Sequence, residues 1–250
     1  MRDLCALSYN VAMNLITRLL YRCLPAPQRE ALLSTVPHYQ RRNLERVLKG
    51  QARYQPCFDR THSLFIHVPK AAGRSVVRGL YDVRSVEHAT VEWYQALDSQ
   101  RYSAYFCFTF VRNPWDRLVS AYTYLCKGGG PSNQEDSEWG QRLLQYTDFD
   151  AFVCEWLRTD TAMHHILFTP QHLFLSDRFG NIELDFIGRF ENLAEDYRTV
   201  AERIPGAGEL PHINRSNSTP YTEFYTERSR NIVAEVYARD IELFGYAFDR

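Results

Sequence analysis

Two strand–turn–helix units, one after the other, constrain the fold of this chain more than any other feature. In each unit a short apolar run ends at a cationic turn, and the turn opens a helix. The first unit starts at Ser63-Leu-Phe-Ile-His-Val-Pro, and the second starts at Tyr105-Phe-Cys-Phe-Thr-Phe-Val. Strands that alternate with helices are typical of a mostly parallel sheet. We therefore predict an α/β fold, with a single P-loop-like domain whose mostly parallel central sheet is flanked by helices.

The second half of the chain continues this alternation. A third strand is expected around residues 184–190, followed by a helix from about Leu193. A closing helix is expected from Glu223 to Phe244. The glycine-rich stretch from Lys127 to Asp136 is predicted to be a loop and is the best candidate for a mobile lid.

Length and composition bound the class of protein. The chain has 250 residues, 45% of them hydrophobic, and a formal net charge of −1. This size suits one domain, assigned to residues 63–250, preceded by a helical and irregular extension, residues 1–62, packed on it. The near-zero net charge argues against a nucleic-acid partner, so any anion site must be built locally. The apolar N-terminal stretch is too short and too polar to be a transmembrane segment.

The six cysteines are widely scattered and form no CxxC pair. We interpret them as reduced thiols, which favours a reducing compartment and a cytoplasmic location. The alternative is a Golgi-lumenal catalytic domain. No feature of the sequence indicates an oligomeric state.

The first turn has the composition of an anion site. Small residues at Ala71, Ala72 and Gly73 let the backbone close around a ligand, and the N–H groups of the following helix start point at it. Lys70 adds a mobile positive charge and Ser75 a hydroxyl. The spacing is not that of a Walker A motif, because the lysine precedes the glycine by three positions, which disfavours an ATPase or kinase. The alternative is a plain strand-to-helix turn with a surface lysine.

The second turn suits a phosphate group. Arg112 stands where the apolar run ends, and its planar guanidinium can make paired charge-assisted bonds with phosphate oxygens. Ser120 follows eight residues later, about two helical turns on. For either residue alone, a cap or an ion pair with the next helix is an alternative role. Two candidate anion sites on consecutive strand–turn–helix units are harder to dismiss than either one alone.

Together these stretches resemble the PAPS-dependent sulfotransferases, in particular the carbohydrate sulfotransferases of the Golgi type and their bacterial relatives. The resemblance spans residues 63–250. It rests on Pro69-Lys-Ala-Ala-Gly-Arg-Ser, Phe110-Val-Arg-Asn-Pro-Trp-Asp-Arg-Leu-Val-Ser-Ala-Tyr, His88-Ala-Thr, Thr169-Pro-Gln-His-Leu-Phe-Leu, Ile187-Gly-Arg-Phe-Glu-Asn-Leu and Asp240-Ile-Glu-Leu-Phe-Gly-Tyr-Ala-Phe.

The resemblance implies a donor, 3′-phosphoadenosine-5′-phosphosulfate (PAPS), a product, PAP, and a hydroxyl-bearing acceptor, most simply a carbohydrate. No metal is expected to be required. Lys70 is implied to contact the bridging oxygen of the donor, and Arg112 and Ser120 its 3′-phosphate. The other implied donor contacts are Ala71, Ala72, Gly73, Arg74, Ser75, Val76, Arg215 and Ser216. Where this chain has Ala71 and Arg74, the loops of the family usually carry threonines, so the affinity for the donor is expected to depend on that change.

A general base is expected to take the proton of the acceptor hydroxyl. The resemblance implies His88, with His172 as the rival, and activity without His88 would move the role to His172 or Glu191. His67, inside the first apolar run, is expected to be a core residue, and Arg189 and Glu191 are expected to form an internal ion pair. Two alternative functions remain, a catalytically silent PAPS- or PAP-binding protein and a nucleotide kinase with a degenerate phosphate loop.

Overall fold

The computed structural model describes residues 15–130, 133–211 and 219–249. Arg215 and Ser216 therefore lie outside the described residues. The described chain is α/β, with three strands, β1 (Ser63–Ile66), β2 (Phe106–Val111) and β3 (Phe186–Arg189). Its helices, in chain order, are α1 (Leu15–Cys23), α2 (Ala26–Leu33), α3 (His38–Lys49), α4 (Pro56–Thr61), α5 (Gly73–Tyr81), α6 (Val91–Leu97), α7 (Ser99–Ala104), α8 (Pro114–Cys126), α9 (Gln134–Leu143), α10 (Phe149–Trp156), α11 (His172–Leu175), α12 (Leu193–Ala201), α13 (Glu227–Val236) and α14 (Ala238–Phe244).

The sheet confirms the predicted fold class. Its order is β1-β2-β3, and both pairs are parallel. Every residue of β1 and five of the six residues of β2 are buried, as expected of runs that are apolar on both faces. Because the strands are parallel, their carboxyl ends meet at one edge of the sheet. This edge brings together the two cationic turns that follow β1 and β2, which is where ligands bind in open α/β sheets.

The helix that follows β2 begins as the sequence predicts. Pro114 occupies its first turn, where the missing N–H costs nothing, and the Asn113 side chain accepts a hydrogen bond from the Trp115 N–H at 3.1 Å. Two other predictions differ from the structure. The stretch predicted as a loop up to Asp136 already contains the start of α9 at Gln134. The acidic side chains of Glu135 and Asp136 therefore lie in a helical first turn, where acidic residues are favourable.

The closing helix is not continuous. It is divided at Tyr237 into α13 and α14. The Tyr237 side chain is buried, and its hydroxyl donates to the Phe168 carbonyl at 2.6 Å. A 3.6-residue apolar period continues on both sides of this break, which is why the sequence pattern alone does not reveal it.

Helices α1 to α4 come from the predicted extension and its junction with β1. Helix α3 contributes Tyr39, which packs against Phe174 of α11 with 5.7 Å between ring centroids. Helix α4 contributes Phe58, which is fully buried in the same core as β1. Within the described residues no helix combines the length and the apolar character needed to cross a bilayer.

Candidate functional site

One large cleft lies at the carboxyl edge of the sheet. Its volume is about 2490 Å³, well above the roughly 300–1,000 Å³ of a typical small-molecule pocket. The space therefore suits two substrates side by side. The predicted site residues that line it are Lys70, Ala72, Gly73, Arg74, Ser75, His88, Arg112 and Ser120.

The turn after β1 offers four backbone donors in a row. Lys70 and Ala72 adopt left-handed backbone conformations, with φ of 67° and 62°. The N–H groups of residues 71–74 make no hydrogen bond with the described residues, whereas those of Ser75 and Val76 are taken up by the Ala72 carbonyl. Consecutive unpaired N–H groups at the start of a helix form an anion-binding cradle. The cradle thus comprises residues 71–74. Val76 is fully buried and is not part of it.

Gly73 is required by a side chain rather than by its own backbone conformation. A Cβ atom at this position would lie 2.0 Å from Nε2 of His67. His67 is buried, as the sequence predicts, and its Nδ1 lies 3.3 Å from the Val86 carbonyl. Gly73 therefore lets the cradle close onto the imidazole ring beneath it.

Lys70 is held over an aromatic ring. Its Nζ lies 4.1 Å from the centroid of the Tyr124 ring, and the Tyr124 hydroxyl donates to Oδ2 of Asp136 at 2.9 Å. A cation over the face of an aromatic ring is attracted by the ring quadrupole. Burial, followed by the charge of Arg112, lowers the pKa of Lys70 to about 8. The ammonium group is thus positioned in the cleft without an ion pair to any described residue.

Arg112 is held by several partners. Its Nε and Nη2 each donate to a carboxylate oxygen of Asp116 at 2.8 Å, and its Nη1 donates to the Lys70 carbonyl at 3.2 Å. Its guanidinium carbon lies 3.9 Å from the centroid of the Phe190 ring. The alternative role as an ion pair with the next helix is therefore present in the structure. Three of the five guanidinium N–H groups are engaged, so two remain for a ligand.

Ser120 supplies a hydroxyl beside Arg112. It is on α8, two turns beyond Arg112, lines the cleft and makes no side-chain hydrogen bond with the described residues. The Ser75 hydroxyl in the first turn is likewise without a partner among them and also faces the cleft. Both hydroxyls can donate to an anionic group.

Arg117 is a site residue that the sequence analysis missed. It is only 2% exposed, and its Nε donates to the Pro69 carbonyl at 2.9 Å. Arg112 and Arg117 of the second unit thus hold two consecutive carbonyls of the first turn, those of Lys70 and Pro69. The signal in the sequence is an arginine within an otherwise apolar stretch of helix, Leu118-Val-Ser-Ala, because a buried arginine needs polar partners.

His88 is oriented by a backbone carbonyl. Its Nδ1 lies 2.9 Å from the His67 carbonyl, and the two imidazole centroids are 3.9 Å apart. Since a carbonyl only accepts, Nδ1 carries the proton and Nε2 of the neutral ring keeps its lone pair. Burial lowers the pKa of His88 to about 4, so the ring is neutral at pH 7. A neutral ring with an unpaired Nε2 in the cleft can accept a proton, and its low pKa makes it a weaker base than a free imidazole.

The two rival bases have structural partners. His172 does not line the cleft, and its Nδ1 lies 2.7 Å from Oδ1 of the fully buried Asp240. Glu191 accepts hydrogen bonds from the Asn113 N–H at 2.6 Å and from the Tyr246 hydroxyl at 3.0 Å. Its predicted ion pair with Arg189 does not form, because Arg189 donates to the Phe244 carbonyl at 2.5 Å instead.

Comparison with known proteins agrees with this geometry. The sequence model of the sulfotransferase family matches residues 57–247, well over half of the chain. No curated protein and no solved structure matches the chain. The matched stretch contains both cationic turns, His88 and the whole sheet. The chain therefore belongs to the sulfotransferase family, whose reaction moves a sulfuryl group from a donor to an acceptor.

Proposed function

We propose that this protein is a PAPS-dependent sulfotransferase that transfers a sulfuryl group to a hydroxyl of a carbohydrate acceptor. The acceptor class and the donor both follow from the resemblance to carbohydrate sulfotransferases, and the two cationic turns that line the cleft support the donor. The five described cysteines are all free thiols, which supports the proposal of a reducing compartment such as the cytoplasm.

One observation carries the donor assignment. Two anion sites of different construction face the same cleft from adjacent strands, and Arg112 joins them through the Lys70 carbonyl. The cradle of residues 71–74, with Lys70, suits the 5′-phosphosulfate. Arg112 and Ser120 suit a second phosphate at the 3′ position, which distinguishes PAPS from other adenosine nucleotides.

The side chains around the cleft suit an in-line displacement. Nε2 of His88 takes the proton of the acceptor hydroxyl while the acceptor oxygen bonds to sulfur. The bond from sulfur to the bridging oxygen breaks at the same centre, and its electron pair stays on the 5′-phosphate of PAP. The Lys70 ammonium and the cradle N–H groups stabilise the negative charge that develops there. No described group of three or more His, Cys, Asp or Glu side chains is arranged to hold a metal ion.

Donor specificity is the first test. We expect transfer of radiolabelled sulfate from PAPS to at least one member of a glycan panel, inhibition by PAP, and no competition by ATP. Binding of PAP without transfer to any acceptor or to water would support a silent binding protein instead. Binding of ATP that requires Mg²⁺ would favour the nucleotide kinase.

Replacement of His88 tests the base. The variant His88→Ala is expected to lose about 10²–10⁴ in turnover, the usual worth of a general base, while its affinity for PAP stays near that of the wild type. His164→Ala is a suitable control because His164 is exposed and does not line the cleft. Full turnover in His88→Ala would remove His88 as the base and return the role to His172 or Glu191.

A further inference from the structure

Helix α3 turns one face towards the cleft, although it lies outside the stretch matched by the sulfotransferase family. His38, Arg42 and Arg46 are spaced four residues apart, and all three line the cleft. Residues at this spacing lie one above the other on the same side of a helix. The extension thus forms part of the wall of the cleft that the turns after β1 and β2 also line.

The two ends of this face are fixed to elements on either side of the site. Nε2 of His38 lies 2.5 Å from Oε1 of Glu135, in the first turn of α9. Arg46 forms an ion pair with Glu87, the residue that precedes His88. Helix α3 is therefore held in place between α9 and the loop that carries the proposed base.

Arg42, the middle residue of this face, has no such partner. Its exposed side chain makes no hydrogen bond or ion pair with any residue that the structure describes. It lines the same cleft as His88 and Glu135, and it lies one helical turn from Arg46, which pairs with the neighbour of His88. Its charge adds to burial in lowering the pKa of His88.

We propose that Arg42 binds an anionic group, a carboxylate or a sulfate, on the acceptor whose hydroxyl reaches His88. This inference rests on the proposed function and deepens it by naming a property of the acceptor. The donor phosphates are assigned to the two turns, so the cations elsewhere in the cleft, Arg42 among them, are left for the acceptor. A guanidinium matches the paired oxygens of either anionic group. The fixed neighbours hold the backbone of α3 in place, so binding has to order only the Arg42 side chain.

Pairs of acceptors that differ only in one anionic group distinguish recognition of the charge from recognition of the shape of the acceptor. The probes are carboxylated oligosaccharides with their methyl esters and sulfated oligosaccharides with their desulfated forms. Binding is measured by calorimetry on protein saturated with PAP, and transfer is measured in parallel with PAPS. We expect Arg42→Ala to weaken binding of the anionic acceptor by about 10- to 100-fold, because one charge-assisted hydrogen bond contributes that much affinity. Binding of the neutral acceptor should weaken far less. If the loss of affinity occurs with the carboxylated acceptors, Arg42 binds a carboxylate, and if it occurs with the sulfated acceptors, Arg42 binds a sulfate.

Arg53→Ala is the control, because Arg53 is an exposed arginine that does not line the cleft. We expect acceptor affinity to change by less than twofold in this control variant. The affinity for PAP should be unchanged in the control and in Arg42→Ala. Equal losses for charged and neutral acceptors, or no loss in Arg42→Ala, would overturn the inference. So would a wild-type protein that binds no anionic probe more tightly than its neutral match. Absence of transfer to any acceptor by the wild type overturns the proposed function, whereas the binding comparison still decides the role of Arg42.

Discussion

The two proposed anion sites of this protein use different kinds of hydrogen-bond donor. The turn after β1 presents backbone N–H groups from residues 71–74, with one lysine above them. The turn after β2 presents side chains, and its arginine is already bound to Asp116 and to the Lys70 carbonyl. Anion binding by backbone N–H groups is affected little by most side-chain substitutions. Anion binding by side chains is lost when one of those residues is replaced.

This difference predicts that the first turn tolerates its departure from the family pattern. Ala71 is buried and Arg74 is exposed, so neither side chain is needed to form the cradle. The threonine hydroxyls that relatives carry are additional donors, and the backbone N–H groups remain without them. We therefore expect the affinity for the donor to depend more on Arg112 than on either substituted position.

The largest effect on donor binding is expected from Arg112→Ala. The change removes two donors to the 3′-phosphate and the contact with the Lys70 carbonyl, and it leaves the carboxylate of Asp116 without its partner. Loss of one member of a part-buried charge pair, here the arginine that faces the phosphate, typically costs about 2–5 kcal/mol, so the dissociation constant for PAP should rise by about 30-fold or more. Titration with PAP and with AMP, which lacks the 3′-phosphate, measures the preference. A variant that keeps the preference for PAP would contradict the assignment of the 3′-phosphate to Arg112.

The next largest effect is expected on stability, where two neighbouring substitutions in the cradle should differ in size. Gly73→Ala places a Cβ atom against His67 and should destabilise the fold by about 1–3 kcal/mol, and the displaced imidazole should disturb His88 as well. Ala72→Gly should change stability by no more than about 1 kcal/mol, because a φ of 62° suits glycine. Urea unfolding of both variants measures the difference. Equal stability of the two would show that the close approach to His67 is not what requires glycine.

The pH dependence of kcat/KM tests the lysine above the cradle. The pKa of Lys70 is lowered to about 8, so the charge is present below that pH and is lost as the pH rises through it. The value of kcat/KM, which reports the free enzyme, should therefore fall about tenfold between pH 8 and pH 9.5. Lys70→Arg keeps its charge throughout and should lack this alkaline limb, even if its maximum is lower. A limb that persists unchanged in Lys70→Arg would have to come from another group.

The smallest effect is expected from the two positions that depart from the family pattern. Arg74→Ala and Ala71→Ser should each change the KM for PAPS by less than about twofold, because neither removes a backbone donor and serine adds a single oxygen atom at the buried Ala71. Steady-state kinetics with saturating acceptor gives the comparison with Arg112→Ala. A tenfold change at either position would show that side chains, and not the backbone, decide affinity in the first turn.

The sequence by itself determined the fold class and the two turns. A strand, its turn and the helix that follows are local features, and apolar runs, proline at a helix start and small residues in a turn are visible as such. The carboxyl ends of parallel strands then meet by necessity, so Lys70 and Arg112 were predicted to share a site. Identification of His88 depended on the resemblance, because its loop between α5 and α6 has no local signature.

Only the tertiary structure decided which distant residues meet. The Arg112 and Arg117 contacts with the first turn, the carbonyl that orients His88 and the wall formed by α3 all join segments far apart in the chain. The same holds for Asp240, which binds His172 and so separates it from the cleft. Such contacts depend on how helices pack over the sheet, and a periodic pattern fixes which face of a helix is buried but not which neighbour it meets. For the same reason, the position of Arg42 in the cleft with His88 is decided by the packing of α3 and not by the local sequence.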